Sequence, residues 1–133
     1  MPSSEHPNAT LVRELFAAFR AGDVESIRRV IPQSVVWHFP GRHGQLAGAH
    51  RGQEAVFGFL MKVQALTGGT FHLELVDVLA NDSRAVALFR GQGTRNGKTL
   101  DNPTCLSMRL ERGQVTEVWE FVWDLYHVDD FWA

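Results

Sequence analysis

The stretch Gly113-Gln114-Val115-Thr116-Glu117-Val118-Trp119-Glu120-Phe121-Val122-Trp123-Asp124 decides the fold. It is a run of β-branched and aromatic residues entered through the turn Glu111-Arg112-Gly113-Gln114, and it predicts a strand over Val115 to Trp123. In an unbroken strand one face carries Val115, Glu117, Trp119, Phe121 and Trp123, and the other Thr116, Val118, Glu120, Val122 and Asp124. Both faces are mainly apolar, so the strand is expected to be central and covered on both sides. Helices cover one side. A second copy of the chain is the candidate for the other, which predicts a homodimer through the sheet.

Working outward, three more strands precede it. Lys98 to Leu110 is joined to Arg84 to Arg95 by Asn96-Gly97, a pair in which both residues tolerate positive φ and which closes a tight hairpin. Asn81-Asp82 reads as the turn before them, and Phe71, Leu73, Leu75 and Leu79 as an amphipathic strand. Upstream the period changes. Leu11, Val12, Leu15, Phe16 and Phe19 form one helical stripe that ends at Gly22. Asp23 caps a second helix with Val24, Ile27, Val30 and Ile31, which Pro32 stops. Val35 to Phe39 reads as a short strand, residues 40 to 52 as a loop, and Val56, Phe59, Leu60, Val63 and Leu66 as a third helix ending at Gly68-Gly69. Residues 1–8 are expected to be a flexible arm. Helices gathered in the N-terminal half and a meander of strands after them indicate an α+β domain spanning residues 1–133.

Composition narrows the function. A net charge of -2 argues against an electrostatic nucleic-acid binder, which needs a basic face to engage phosphates, so nucleic acid is not expected. No apolar run reaches the roughly 20 residues that span a bilayer. A single cysteine, Cys105, excludes an internal disulfide and points to a reducing, cytoplasmic setting. Cys105 has no basic neighbour in sequence and reads as an inert core thiol. His38, His43 and His50 lack a metal-ligand spacing, so no metal is expected. Gly91-Gln92-Gly93 lies within a strand and is no dinucleotide loop.

Three segments carry a family resemblance. Val35-Val36-Trp37-His38-Phe39-Pro40-Gly41-Arg42 with Leu46-Ala47-Gly48 and Arg51-Gly52, then Gly113 to Glu120, and the tail Asp124-Leu125-Tyr126-His127-Val128-Asp129-Asp130-Phe131-Trp132 are similar to segments of the SnoaL-like (NTF2-like) superfamily. The resemblance implies a cone: a curved antiparallel sheet with three N-terminal-half helices over one face and a pocket between. It also implies small-molecule binding and, among the enzymes, cofactor-free acid–base chemistry of an isomerase, cyclase or hydrolase type. Its acidic base late in the final strand matches Asp124 best. Two patterns are missing. The histidine that cyclase-type members carry on the preceding strand is replaced by Thr104-Cys105-Leu106-Ser107-Met108, and the helix-1 tyrosine of the isomerases by Phe16 and Phe19.

The candidate catalytic residues are therefore His38, Asp124 and Glu120. Glu120 and Asp124 share a strand face about 13 Å apart, too far for a shared proton, so whichever faces a dry cavity would have a raised pKa and act alone. His38, in an apolar strand, could relay a proton near neutral pH, or be a part-buried histidine bonded to backbone. Trp37, Phe16 and Trp119 are candidate pocket walls, Trp119 also a core or interface residue. Arg42, on the loop with His43, His50 and Arg51, could meet an anionic or carbonyl group at the mouth, or be solvated. Arg90 and Asn102 are mid-strand polar residues that could reach the cavity; for Arg90 a carboxylate partner on the sheet is the competing role. A non-catalytic binding domain and a structural dimerisation module with a filled interior are the alternatives. Phe131-Trp132 is expected to fold back over apolar surface.

Overall fold

The computed structural model describes residues 5–133. The chain runs α1 (Pro7–Ala21), α2 (Val24–Val30), β1 (Val36–Phe39), β2 (Gly48–Arg51), α3 (Gln53–Leu66), β3 (His72–Ala80), β4 (Arg84–Arg95), β5 (Lys98–Glu111), β6 (Gln114–Val122) and α4 (Leu125–Trp132). The strands form one curved, unclosed six-stranded sheet in the order β2-β1-β6-β5-β4-β3. All pairings are antiparallel except β1 with β6, which places the first strand beside the last.

The predicted meander forms as read, and Asn96 and Gly97 both adopt positive φ, 50° and 76°. The first helix starts earlier than expected. Pro7 occupies its first turn, His6 Nδ1 accepts the Asn8 N–H (3.0 Å), and Asn8 Nδ2 donates to Asn81 O (2.9 Å). Pro7 and Asn8 are thus helical and tied to the β3–β4 turn, not part of an arm. Residues 1–4 of that expected arm lie outside the described residues.

The expected loop at 40–52 contains β2. Its glycine-flanked, mostly exposed residues carry no strand pattern, and it pairs along β1 from Val36↔Arg51 to Phe39↔Gly48. The C-terminal tail supplies a fourth helix, α4, with Val128, Phe131 and Trp132 buried.

The last strand is central, between β1 and β5, but its two faces are not those of an unbroken strand. Leu110 pairs with Val115 and Arg109 with Glu117, so Thr116 is extra. This bulge turns both Val115 and Val118 inward, and both are fully buried. Beyond it Val118, Glu120 and Val122 face inward, while Glu117, Trp119 and Phe121 face outward. All four helices pack toward the inner face, where Leu100, Leu106 and Met108 of β5 join Val12, Phe16, Val56 and Phe131 in one core. No helix among the described residues covers the outer face. Leu88, Cys105 and Phe121 stand in one row across it, and Phe121 is 58% and Trp123 85% exposed.

Asp129 anchors α4. Its carboxylate accepts the backbone N–H groups of Arg42, His43 and Gly44 at 2.7–3.0 Å. These bonds, that of Gly44 foremost, hold its pKa below the ordinary aspartate value. Contact is close enough that a Cβ at Gly44 would sit 2.9 Å from Trp132 Cβ.

Candidate functional site

The interior is open. A cavity of about 690 Å³ lies between the inner face of the sheet and helices α1 to α3, with Trp132 of α4 also on its wall. A purely structural module would have this space filled. The wall is a chain of aromatic rings in edge or tilted contact: Phe89 with Phe16 (5.5 Å between centroids), Phe16 with Phe19 (5.7 Å), Phe19 with Trp37 (6.3 Å), and Trp37 and Phe39 each with Phe59 (5.4 and 5.5 Å). The rings reach it because α1 and α3 turn their apolar stripes inward while Trp37 and Phe39 alternate inward on β1. The exposed lining residues Arg20, Val24, Met61, Gln64 and His72 form its mouth.

Two polar side chains interrupt the deeper wall, Glu120 and Asn102. Glu120 sits mid-strand on β6 opposite Leu106, and the indole Nε1–H of Trp37 donates to its Oε1 at 3.1 Å. Burial in this apolar wall raises its pKa to about 7, against the opposing pull of the Trp37 hydrogen bond. No protein group bonds its Oε2 among the described residues, so that oxygen is open to a ligand.

Of the residues singled out in the sequence, Glu120, Trp37, Phe16 and Asn102 line this cavity. The others stand elsewhere. His38 is on the outer face, because Trp37 takes the inward position of the pleat. Its ring stacks on Trp119 (5.6 Å, 11°), and its Nε2 lies 2.6 Å from Glu117 Oε2. Trp119 faces outward too, with the Arg84 guanidinium 5.6 Å over its ring. Asp124 lies past the end of β6, exposed, and caps α4 by accepting the His127 N–H at 3.1 Å. Arg42 is exposed on the β1–β2 loop, and its backbone N–H donates to Asp129. Arg90 points outward and pairs with Asp101 at 2.6 Å, the carboxylate partner that competed with a pocket role. Cys105 faces outward and is part-exposed, not in the core; burial raises its thiol pKa.

Some lining residues escaped the sequence reading. Phe19, Phe59 and Phe89 carried a signal, an aromatic on an apolar stripe, but the same signal marks packed core. Arg20 at the mouth carried none, and the alternation of Phe71, Leu73 and Leu75 puts His72 on the polar face of its strand, where a solvated role competes. Among the described residues no group of three metal-ligating side chains comes together. No helix there is long and apolar enough to cross a membrane.

The comparisons with known proteins agree with this architecture. The pattern of the SnoaL-like domain matches residues 12–118. An uncharacterised protein of Mycobacterium tuberculosis is 36% identical over 124 residues, 92% of this chain and 94% of the relative. Bal32a, from a soil-derived mobile gene cassette, is 37% identical with a TM-score of 0.90, covering 95% of this chain and 96% of its own. An NTF2-like protein from Burkholderia xenovorans is 21% identical with a TM-score of 0.82, covering 99% and 100%; that likeness is one of fold.

Proposed function

The chain belongs to the family of SnoaL-like domains, and from that premise we propose that it is a small-molecule pocket protein whose cavity performs cofactor-free acid–base chemistry on an apolar ligand bearing a carbonyl group. The observation that carries the reading is Glu120: one carboxylate in an aromatic wall, pKa about 7, one oxygen held by Trp37 and the other free. A carboxylate of that pKa is about half ionised at neutral pH, where a general base gains most from being basic and still deprotonated. Trp37 fixes its orientation and stabilises the anion, while the rings exclude the water that would solvate it. Such a group can take a proton from a carbon next to a carbonyl and return it elsewhere on the same molecule, which is the proton traffic of an isomerase or cyclase. Neither His38 nor Asp124 has a part in it.

The test is deuterium incorporation into 2-tetralone at the carbons next to its carbonyl, followed by NMR in D2O. The wild-type protein should accelerate exchange above buffer. E120Q should lose about 10²–10⁴-fold of that acceleration, and H38A should keep it within about twofold. Equal exchange by wild type and E120Q would remove the catalytic reading and leave a ligand-binding domain. Binding itself is supported by the cavity's volume and apolar wall, which suit a two- or three-ring molecule.

For the outer face we propose a second copy of the chain. Leu88 and Phe121 are large, apolar and exposed on a sheet face that no helix among the described residues covers, and Trp123 is exposed just past the end of β6. Sedimentation velocity should give twice the monomer mass for wild type and the monomer mass for F121E; a monomeric wild type at micromolar concentration would end the proposal.

A further inference from the structure

Asn102 is the polar side chain of the deeper cavity wall that the chemistry above leaves unused. It is 5% exposed, and its side-chain oxygen is buried without a hydrogen-bond partner among the described residues. The nearby hydroxyl of Thr104 is turned away from the carboxamide; it donates to the backbone carbonyl of Asn102 at 3.1 Å. Across the sheet the register sets Gly91 opposite Asn102, and a Cβ there would meet the Phe71 ring at 3.3 Å. Asn102 thus stands in an apolar wall beside a residue without a side chain, with its amide oxygen unpaired among the described residues. A leucine would fit the same space without leaving polar atoms unpaired. Half a turn about the soft terminal torsion of asparagine exchanges its oxygen and nitrogen, so the carboxamide can accept or donate.

We infer that Asn102 is a specificity-determining residue: its carboxamide recognises a hydroxyl group on the ligand, at the end remote from the atom Glu120 acts on. A hydroxyl suits it best because it donates to the amide oxygen or accepts from the amide nitrogen equally well. The separation follows from the register. Glu120 faces Leu106, and Asn102 lies four residues along β5 from Leu106, roughly 13 Å. One small functional group cannot serve both. The substrate class is therefore an apolar ring compound with a carbonyl at one end and a hydroxyl at the other. This rests on the acid–base reading for the carbonyl end only.

The experiment compares 6-hydroxy-2-tetralone with 6-methyl-2-tetralone, matched in shape, by calorimetric titration of wild type, N102L and E120Q. Wild type should bind the hydroxy compound about tenfold more tightly. N102L should reduce that preference to within twofold and, because it removes an unpaired buried amide, raise Tm by about 3 °C. E120Q should keep the preference while losing exchange, so the two readings fail separately. A preference that survives in N102L overturns the inference, as does a wild type that binds neither compound. A drop in Tm for N102L with the preference unchanged makes Asn102 structural. Should N102L fail to fold, N102A carries the same comparison, and retention of the preference there is equally decisive against it.

Discussion

E120Q is expected to be more stable than wild type at pH 8 by roughly 3 kcal/mol, and indistinguishable from it near pH 4.5. Folding raises the Glu120 pKa from 4.5 to about 7. Folded protein therefore holds this proton over a pH range in which unfolded protein has released it. The contribution is fully present below pH 4.5, declines as pH rises, and is gone above about pH 7. The rise from 4.5 to about 7 corresponds to roughly 3 kcal/mol once the part-exposed position is allowed for. Glutamine is neutral at every pH and its amide oxygen still accepts from Trp37, so the mutant avoids the buried charge without losing the hydrogen bond. Urea unfolding of both proteins at pH 5, 6, 7 and 8 isolates the effect, because the other titrations cancel in the difference. A pH-independent difference would mean that Glu120 is an ordinary solvated carboxylate, and the acid–base reading would fall with it. The same residue then links both halves of the chemistry. The wall that makes Glu120 a useful base at neutral pH also makes it costly to fold around, the trade between stability and activity that active sites show.

Strand existence was legible in Asn96-Gly97 and in the alternation of Arg84 to Leu110, because turn chemistry and period are local. The face each residue takes was not. The bulge at Thr116 exchanges inside and outside between Val115 and Val118, and nothing in Val115-Thr116-Glu117-Val118 announces it. Beyond the bulge, Glu120 and Asp124 were equivalent in an ideal strand; they diverge because β6 stops at Val122 and Asp124 becomes a helix cap. His38 was ambiguous for another reason. A strand offers two faces, and the choice between Trp37 and His38 was made by the parallel pairing with β6, which sets His38 beside Trp119 on the outer side. Parallel pairing between the chain's first strand and its last is non-local and leaves no trace in either segment. Asn102 showed the opposite behaviour: a mid-strand polar residue stood out in sequence, and its side-chain oxygen has no partner among the described residues.

The C-terminal helix tests how far the cavity depends on distant parts of the chain. F131A is expected to lower stability by about 4 kcal/mol, within the range for removing a fully buried aromatic. Phe131 is 1% exposed and meets Trp132 edge-on at 4.7 Å, and Trp132 forms part of the cavity wall. Three further ties end on the same turn: Arg95 donates to the Phe131 and Ala133 carbonyls (3.0 and 2.7 Å), Lys98 donates to the Asp130 carbonyl (2.8 Å), and the Gln45 N–H donates to the Trp132 carbonyl (3.0 Å). These bonds are largely exposed and depend on α4 being seated; the apolar contact seats it. Losing the ring should therefore loosen Trp132 together with the cavity wall, so tetralone affinity should fall alongside stability. Y126A, one helix turn away on a side chain 89% exposed, should stay within about 0.5 kcal/mol of wild type. Urea unfolding of the two variants and tetralone titration below the transition separate the cases. Lost stability with unchanged affinity would show that α4 supports the fold without shaping the pocket, and Trp132 would then be a bystander on the wall.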